Sequence, residues 1–336
     1  MCGFAGILGD SSELNWEPAQ VLASIDKRGP DASGVAEADW FKVAHARLSI
    51  IDLDPRADQP MWDESKRYCL VFNGEIYNYR ELKESLAASG TQFQTESDSE
   101  VLLHLLINQG VEALNALHGC FAFCFMDSQT KSAIVARDRF GINPLYFSKS
   151  EGSLICSSSF KAITKIKGGI QVSQAAVSSL MQFSFATAPH SCDDQIEKLL
   201  PGHCLEFSEG ETTMRKWYLV DQPKSPSNII SLLEESIAER MVSDVPVGTF
   251  LSGGLDSSLI TALAAKNHPG ITAFSIGFEN EFLDESRWSK QMADQLDVDH
   301  RLLVVTETQM LDDFETYLDD IDEPFGDSSS MAMWAL

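Results

Sequence analysis

Residues 249–260 read TFLSGGLDSSLI. The stretch is a short apolar run, a glycine turn and the first turn of a helix. Phe250 and Leu251 end a buried strand. Gly253 and Gly254 permit a sharp turn and let an anion approach the backbone closely. Asp256, Ser257 and Ser258 open a helix that continues as DSSLITALAAKN. A helix N-terminus presents unpaired N–H groups at the positive end of the dipole, so the unit predicts a phosphate site. The hydroxyls of Ser252, Ser257 and Ser258 add donors. No GK[ST] follows, so this is not a P-loop with a phosphate-binding lysine. Asp256 beside a phosphate is repulsive unless a divalent cation sits between them, which implies Mg2+. A Ser/Gly-rich N-capping turn is the plainer alternative, and the complete strand–turn–helix unit outweighs it.

Outward from this loop, strand and helix alternate. NIISLLEESIAERM reads as an amphipathic helix, PVGTFL as a strand, ITAFSI as a strand, DESRWSKQMADQL as a helix, RLLVV as a strand and TQMLDDFETYL as a helix. Such alternation builds a parallel sheet from βαβ units. Only three strands are present, and SSSMAMWAL reads as a serine-capped helix with no stop signal. A doubly wound sheet continues on the far side of its first strand, so this domain, over 229–336, is expected to be incomplete. Before it, DQPKSPSN (221–228) reads as a linker.

Residues 2–220 have a different texture. GFAGIL, WFKVAHARLSIID, RYCLVFN, GCFAFCFMD, KSAIVARD and PLYFS read as strands bounded by Gly, Asp, Asn and Pro. RELKESLAASG reads as a helix, as does SDSEVLLHLLINQG, with Ser97 or Asp98 as N-cap and Gly110 as stop. Many strands with few helices between them predict an antiparallel, layered α+β domain.

The 336-residue chain carries a formal charge of −25, which argues against a nucleic-acid backbone or an anionic membrane surface as partner. The acidic run ETQMLDDFETYLDDIDEPFGD lacks Lys and Arg and reads as a solvated helix face. The seven cysteines are irregularly spaced with no CxxC pair, so neither a zinc site nor a disulfide framework is indicated. A reducing, cytoplasmic setting follows. There is no secretory signal and no apolar run long enough to span a bilayer.

SGGLDSS resembles the pyrophosphate-binding loop of the ATP-pyrophosphatase (PP-loop) enzymes. That resemblance implies that Leu251, before the loop, and Ile276, in the next strand, pack around the adenosine of ATP. MCGFAGIL, KRGPD, HARLSI, NGEIYNY and SDSE, in this order, each resemble a motif of the class II glutamine amidotransferases, which are N-terminal-nucleophile (Ntn) hydrolases. Joined to SGGLDSS, the order is similar to the glutamine-hydrolysing asparagine synthetase family. The implied architecture is an Ntn-hydrolase αββα sandwich followed by a partial Rossmann-like parallel α/β domain.

The implied chemistry is also legible in the residues. Removal of Met1 leaves a free α-amine beside the Cys2 thiol. Unperturbed values of about 8.5 and about 7.7–8.0 nearly match, so the amine can take the thiol proton and later return one to departing ammonia. No histidine is needed, and His45 and His104 read as structural. A tetrahedral oxyanion needs fixed donors. The resemblance assigns them to Asn73 and the Gly74 N–H, although NG alone reads as a hairpin turn. Arg47 fits the carboxylate of glutamine as a bidentate fork. Glu75 and Asp98 fit its ammonium, although Asp98 alone reads equally as an N-cap. The resemblance also places Leu48, Ser49, Ile50 and Ile51 around glutamine.

Two departures from the family pattern are visible. Lys27 in KRGPD stands where the family usually has histidine. A second glycine-rich loop that completes the ATP and magnesium site in the family, and the residues that position aspartate, do not occur in these 336 residues. The resemblance implies glutamine, aspartate and ATP as substrates, and suggests a homodimer. Amidation of another carboxylate, or a glutaminase-only or inactive fragment, are the alternatives.

Overall fold

The first strand, β1 (Gly3–Gly9), carries Phe4 and Leu8 on one side and Ala5 and Ile7 on the other, all fully buried. A strand apolar on both faces belongs to an inner layer. The computed structural model describes residues 2–220, 228–280, 282, 284–327 and 329–336. They form two units, Met1–Asp221 with Asp322–Phe325, and Gln222–Ile321 with Gly326–Leu336.

After β1, the strands of the first unit are β2 (Ala32–Ala38), β3 (Phe41–Arg47), β4 (Met61–Trp62), β5 (Tyr68–Ile76), β6 (Gly119–Asp127), β7 (Ser132–Arg137), β8 (Tyr146–Ser150), β9 (Ser153–Ser157), β10 (Glu197–Lys198), β11 (His203–Ser208) and β12 (Glu211–Lys216). Its helices are α1 (Pro18–Ala23), α2 (Tyr79–Ala88), α3 (Asp98–Gln109), α4 (Phe160–Lys167) and α5 (Gln174–Phe183). One antiparallel sheet has the order β10-β8-β9-β1-β3-β2 and the other β12-β11-β7-β6-β5-β4. Between them lies a core of Phe4, Leu8, Phe41, Val43, Val71, Cys124, Phe147 and Phe207. The outer face of the first sheet packs Ala5 and Ile7 against Val21 of α1 and Ile163 and Ile166 of α4, while α3 covers β5. This is the expected αββα sandwich. Strands β2, β4, β9, β10, β11 and β12 and helices α1, α4 and α5 were not anticipated from the sequence.

The acidic run corrects one expectation. Asp322 accepts from Ser159 Oγ at 2.8 Å and from the backbone N–H groups of Phe160 and Lys161, both at 3.1 Å, at the start of α4. Glu323 accepts from Cys192 N (2.8 Å) and Tyr146 Oη (2.9 Å), and pairs with Lys198 (2.8 Å). These two carboxylates fasten the first unit rather than face solvent, because buried donors there need acceptors.

The second unit contains α6 (Ile229–Arg240), β13 (Gly248–Phe250), α7 (Leu255–Asn267), β14 (Thr272–Phe278), α8 (Ser286–Leu296), β15 (Asp299–Val305), α9 (Glu307–Asp312), α10 (Phe314–Asp320) and α11 (Ser329–Ala335). TQMLDDFETYL thus forms two helical segments meeting at Asp313 instead of one. The three strands are parallel in the order β13-β14-β15. One sheet face packs Ala273 with Leu251 and Ala293. The register aligns Phe250, Phe274 and Arg301 on the opposite face, which Leu303 shares two residues further on, and Phe250, Phe274 and Leu303 are exposed. The expected linker falls on residues 221–227, which lie outside the described residues. Asn228 caps α6, its Oδ1 accepting from Ile230 N and Ser231 N. Among the described residues no helix is long and apolar enough to cross a membrane.

Candidate active site

The period of two along each strand brings the polar residues of the first unit together. Phe4 and Leu8 face the inter-sheet core, so Cys2 faces the same way. Val43 carries Arg47 with it, Val71 carries Asn73 and Glu75, and Cys124 carries Cys120. Each strand turns from apolar to polar toward one end of the sandwich. There a cavity of about 270 Å3 is lined by Cys2, Arg47, Leu48, Ile50, Ile51, Asn73, Gly74, Glu75 and Asp98, together with Gln59, Phe72, Ser99, Cys120 and Asn143. Of the residues expected around glutamine, only Ser49 is outside this lining. Its N–H is held by Asp31 Oδ2 at 2.7 Å.

The β1–β3 register sets Gly3 opposite Ala46, which places Cys2 at the start of the loop after β3. Leu48 N donates to Cys2 Sγ at 3.4 Å. Arg28 Nε donates to the Cys2 carbonyl at 3.1 Å. In KRGPD, Arg28 therefore secures the residue and Asp31 secures the loop beside it, while Lys27 is exposed. Burial pushes the Cys2 thiol above its ordinary value, opposed by the Leu48 hydrogen bond and by Arg47. Burial thus favours the protonated thiol, which sharpens the need for a base.

Asn73 and Gly74 are not a hairpin turn. They lie within β5, paired with Ala122 and Phe121 of β6. A Cβ on Gly74 would stand 2.1 Å from the Cys120 carbonyl oxygen, so only glycine fits. On the edge of β5 away from β6, Phe72 N donates to Gln59 Oε1 at 2.6 Å and Ile76 N to Asp98 Oδ2 at 3.0 Å. Alternation puts the Gly74 N–H on that same edge, between them. The Asn73 side chain is fully buried, and neither its Nδ2 nor its Oδ1 has a partner among the described residues.

Arg47 is also buried, but its guanidinium is engaged. Nη1 pairs with Asp58 at 2.6 Å and donates to Asp54 O, and Nη2 donates to Ile51 O and Asp52 O. The bidentate fork expected for a carboxylate is therefore not formed here, because the terminal nitrogens hold the 51–58 loop. Ser97 caps α3 by accepting from Glu100 N. That leaves Asp98, at the first helical position and 5% exposed, to face the cavity. Burial raises its carboxyl to about 7, with Glu75 adding to the rise and Ile76 N opposing it. Burial raises Glu75 as well. His45 is fully buried with Nε2 on Phe72 O, and burial lowers it to about 4. His104 packs its ring edge on Phe93. Neither histidine lines the cavity.

Gln59, Phe72, Ser99, Cys120 and Asn143 were missed from the sequence. For Cys120 and Asn143 the signal was spacing: Cys120 is two and four residues from the core residues Ala122 and Cys124, and Asn143 two and four from Leu145 and Phe147.

In the second unit Leu251 is buried directly after β13, with its N–H on Phe274 O at 2.8 Å. Ser275 Oγ donates to Leu251 O, and Ile276 follows on β14. Gly253 has φ +81°, and a Cβ there would lie 2.5 Å from the Trp288 carbonyl carbon. Gly254 is the N-cap of α7. The Ser252 and Ser257 hydroxyls are 2.9 Å apart, and Ser252 N donates to Ser257 Oγ at 3.2 Å. Ser258 Oγ is buried without a partner among the described residues. Asp256 is exposed in the first turn of α7. Leu251, Ser252, Gly253, Gly254, Asp256, Ser257 and Ser258 thus follow the carboxyl end of β13, and Ile276 lies on the adjacent β14 two residues beyond Phe274, the partner of Phe250; in open α/β sheets ligands bind outside the carboxyl ends of the strands.

Comparison with known proteins extends this picture. A family model described as a glutamine amidotransferase domain matches residues 1–218, and one described as asparagine synthase matches residues 228–336. Asparagine synthetase [glutamine-hydrolyzing] 1 of Bacillus subtilis (strain 168) is 31% identical over 347 residues, covering 99% of this chain and 55% of that protein. A Methanocaldococcus jannaschii protein provisionally named an asparagine synthetase of the same type is 32% identical, covering 98% of this chain and 70% of its own. A solved structure described as the allosteric regulatory enzyme of purine biosynthesis aligns with a TM-score of 0.50 at 17% identity, over 90% of this chain and 80% of that one. That last likeness bears on fold alone. The chain spans 55% and 59% of the length of the two Bacillus relatives it matches. With both family models in tandem and relatives of this identity along nearly its whole length, the chain belongs to the glutamine-hydrolysing asparagine synthetase family.

Proposed function

We propose that this chain hydrolyses glutamine at Cys2 and supplies the ammonia for ATP-dependent amidation of the aspartate β-carboxylate, giving asparagine, glutamate, AMP and pyrophosphate. The observation that carries the first step is the convergence on one cavity of a buried thiol, the unpartnered Asn73 amide, the Gly74 edge and two carboxylates with raised pKa. Once Met1 is removed, the Cys2 α-amine takes the thiol proton and sulfur attacks the side-chain carbonyl carbon. Asn73 Nδ2 and the Gly74 N–H hold the oxyanion. The amine returns the proton to nitrogen, the C–N bond breaks with its electron pair leaving on ammonia, and water hydrolyses the thioester. Glu75 and ionised Asp98 pair the substrate ammonium. Arg47 contributes its charge, its remaining Nε donor and its hold on the loop carrying Leu48 to Ile51.

The glutaminase role belongs to residues 2–220 together with 322–325, and 229–336 is the N-terminal part of the synthetase domain. There the 252–258 loop would take the pyrophosphate of MgATP, with Leu251 and Ile276 against the adenosine. Asp256 is one exposed carboxylate, and no group of three or more metal-ligating side chains occurs among the described residues. It fits a magnesium ion that arrives as part of MgATP and adds a single ligand. A cytoplasmic setting and a homodimer complete the proposal.

The test is glutamate release from glutamine by the chain and by Cys2→Ala, followed by asparagine formation with aspartate and MgATP. Glutaminase that survives Cys2→Ala would overturn the first step. Glutaminase without asparagine, with another carboxylate amidated instead, would overturn the second.

A further inference from the structure

Three carboxamides line the cavity: Gln59 is bonded at both its nitrogen and its oxygen, Asn73 has a role, and Asn143 has none so far. Asn143 is 1% exposed, and both Nδ2 and Oδ1 are buried without a partner among the described residues. It shares this condition with Asn73 and with no other side chain of the cavity. Apart from Glu75, the remaining polar side chains of the cavity are engaged. Gln59 donates to Ser99 Oγ and accepts from Phe72 N, Asp98 accepts from Ile76 N, and Cys120 accepts from Tyr77 Oη at 3.2 Å. A fold keeps a buried carboxamide unpaired only where something else completes it.

The backbone of Asn143 is fixed from both ends. Its N–H donates to Asp138 Oδ2 at 3.1 Å, and its carbonyl accepts from Arg137 Nε at 2.7 Å. Asp138 is itself fully buried and also accepts from Phe121 N, Phe140 N and Ile142 N. Asn143 stands just before β8, whose Phe147 faces the inter-sheet core together with Leu145, and it lines the cavity at the end of the same interior. The amide is pre-positioned by groups that do not touch the substrate.

We propose that Asn143 Oδ1 accepts a hydrogen bond from the scissile amide nitrogen of glutamine and holds that nitrogen as it leaves. The inference rests on the glutaminase reading above. Once Asn73 Nδ2 and the Gly74 N–H serve the oxyanion and the two carboxylates serve the ammonium, the scissile –NH2 still needs an acceptor, and Asn143 Oδ1 is a buried, unpartnered acceptor on a residue with no other task in the reaction. A neutral acceptor suits the step: it orients the departing nitrogen without stabilising ammonium, so the product stays a nucleophile. Asn143 neither gains nor loses a proton. The proton on the leaving nitrogen comes from the Cys2 amine, and the C–N electron pair departs with ammonia.

The test compares kcat/KM, which reports acylation, for glutamine and for glutamate γ-methyl ester, whose leaving oxygen carries no N–H. Asn143→Leu should lower the amide-to-ester ratio at least tenfold, with ester turnover nearly unchanged as the sign of an intact site. Asn143→Asp keeps an acceptor and should hold the ratio within threefold of the parent. Asn143→Ser gives the same comparison as Leu if that variant does not fold. Equal loss on both substrates, an unchanged ratio in Asn143→Leu, or a ratio in Asn143→Asp as low as in Leu would overturn the proposal. Failure of the glutaminase reading is distinguishable: the unmodified chain would then hydrolyse neither substrate.

Discussion

The amide nitrogen of Leu48 lies 3.4 Å from the Sγ of Cys2 and donates to it, so the nucleophile is held by a loop and not only by its own strand. That loop is tied down by Arg47, which is buried and bonded to Ile51, Asp52, Asp54 and Asp58. Asp58 is the only charged partner of that guanidinium among the described residues, at 2.6 Å, and it does not line the cavity. Asp58→Ala should therefore loosen the loop without touching substrate. We expect a several-fold rise in KM for glutamine and a loss of about 1–2 kcal/mol in stability, the range for leaving a buried charged donor without its partner. Steady-state kinetics and chemical denaturation of the same preparation check both.

The base in the proposed mechanism is the chain terminus. A single residue left in front of Cys2 displaces the amine and should abolish glutamate release while leaving the fold unchanged. Intact mass, circular dichroism and a glutaminase assay on a Met1-retaining form and a processed form decide this.

Two buried groups give opposite pH dependences of stability. Asp98 is held near 7 in the fold against an ordinary value of 3.8, so the native state binds its proton more tightly. The stability it contributes is fully present below about 4 and is lost as pH rises through 7. His45 is held near 4 against 6.5. Its contribution is fully present above 6.5 and is lost as pH falls toward 4. In the parent chain the two slopes oppose each other between about pH 4 and 6.5. Asp98→Asn should leave Tm rising with pH over that interval, and His45→Gln should leave it falling. Glutamine, bringing an ammonium to Asp98, should release a proton on binding below pH 7, measurable by calorimetry in buffers of different ionisation enthalpy.

Gly253 combines a positive φ with a neighbour 2.5 Å from where a Cβ would stand. Gly253→Ala must displace either Trp288 or the loop. It should cost at least about 1–3 kcal/mol within the second unit and abolish protection of that unit by MgATP. Limited proteolysis with and without MgATP reads both effects.

Much of the first unit was legible because its inner strands are near-continuous apolar runs, as in GFAGIL and GCFAFCFMD, bounded by turn residues. The strands that escaped notice, such as Glu211–Lys216, carry polar residues at most positions and owe their place to pairing with His203–Ser208, a long-range fact. Cys2, Asn73 and Asp98 were singled out from motifs, and their convergence needed the register. Asn73–Gly74 shows the limit plainly: the dipeptide is a hairpin signal locally, and only its pairing with Ala122 and Phe121 makes it a strand edge. Arg47 shows another. Its residue type suits a carboxylate fork, but the carbonyls that occupy its nitrogens arise from the turn of residues 51–54, which no spacing rule announces.

Asp322 and Glu323 give the first unit a history as well as a shape. The start of α4, Tyr146 and Lys198 obtain their acceptors from residues well over a hundred positions downstream. During synthesis the N-terminal sandwich would emerge with these donors still in water, and its last polar contacts would close only after most of the second sheet had left the ribosome. The maturing nucleophile and the latest-made segment of its own unit are thus separated in time by nearly the whole length of the chain.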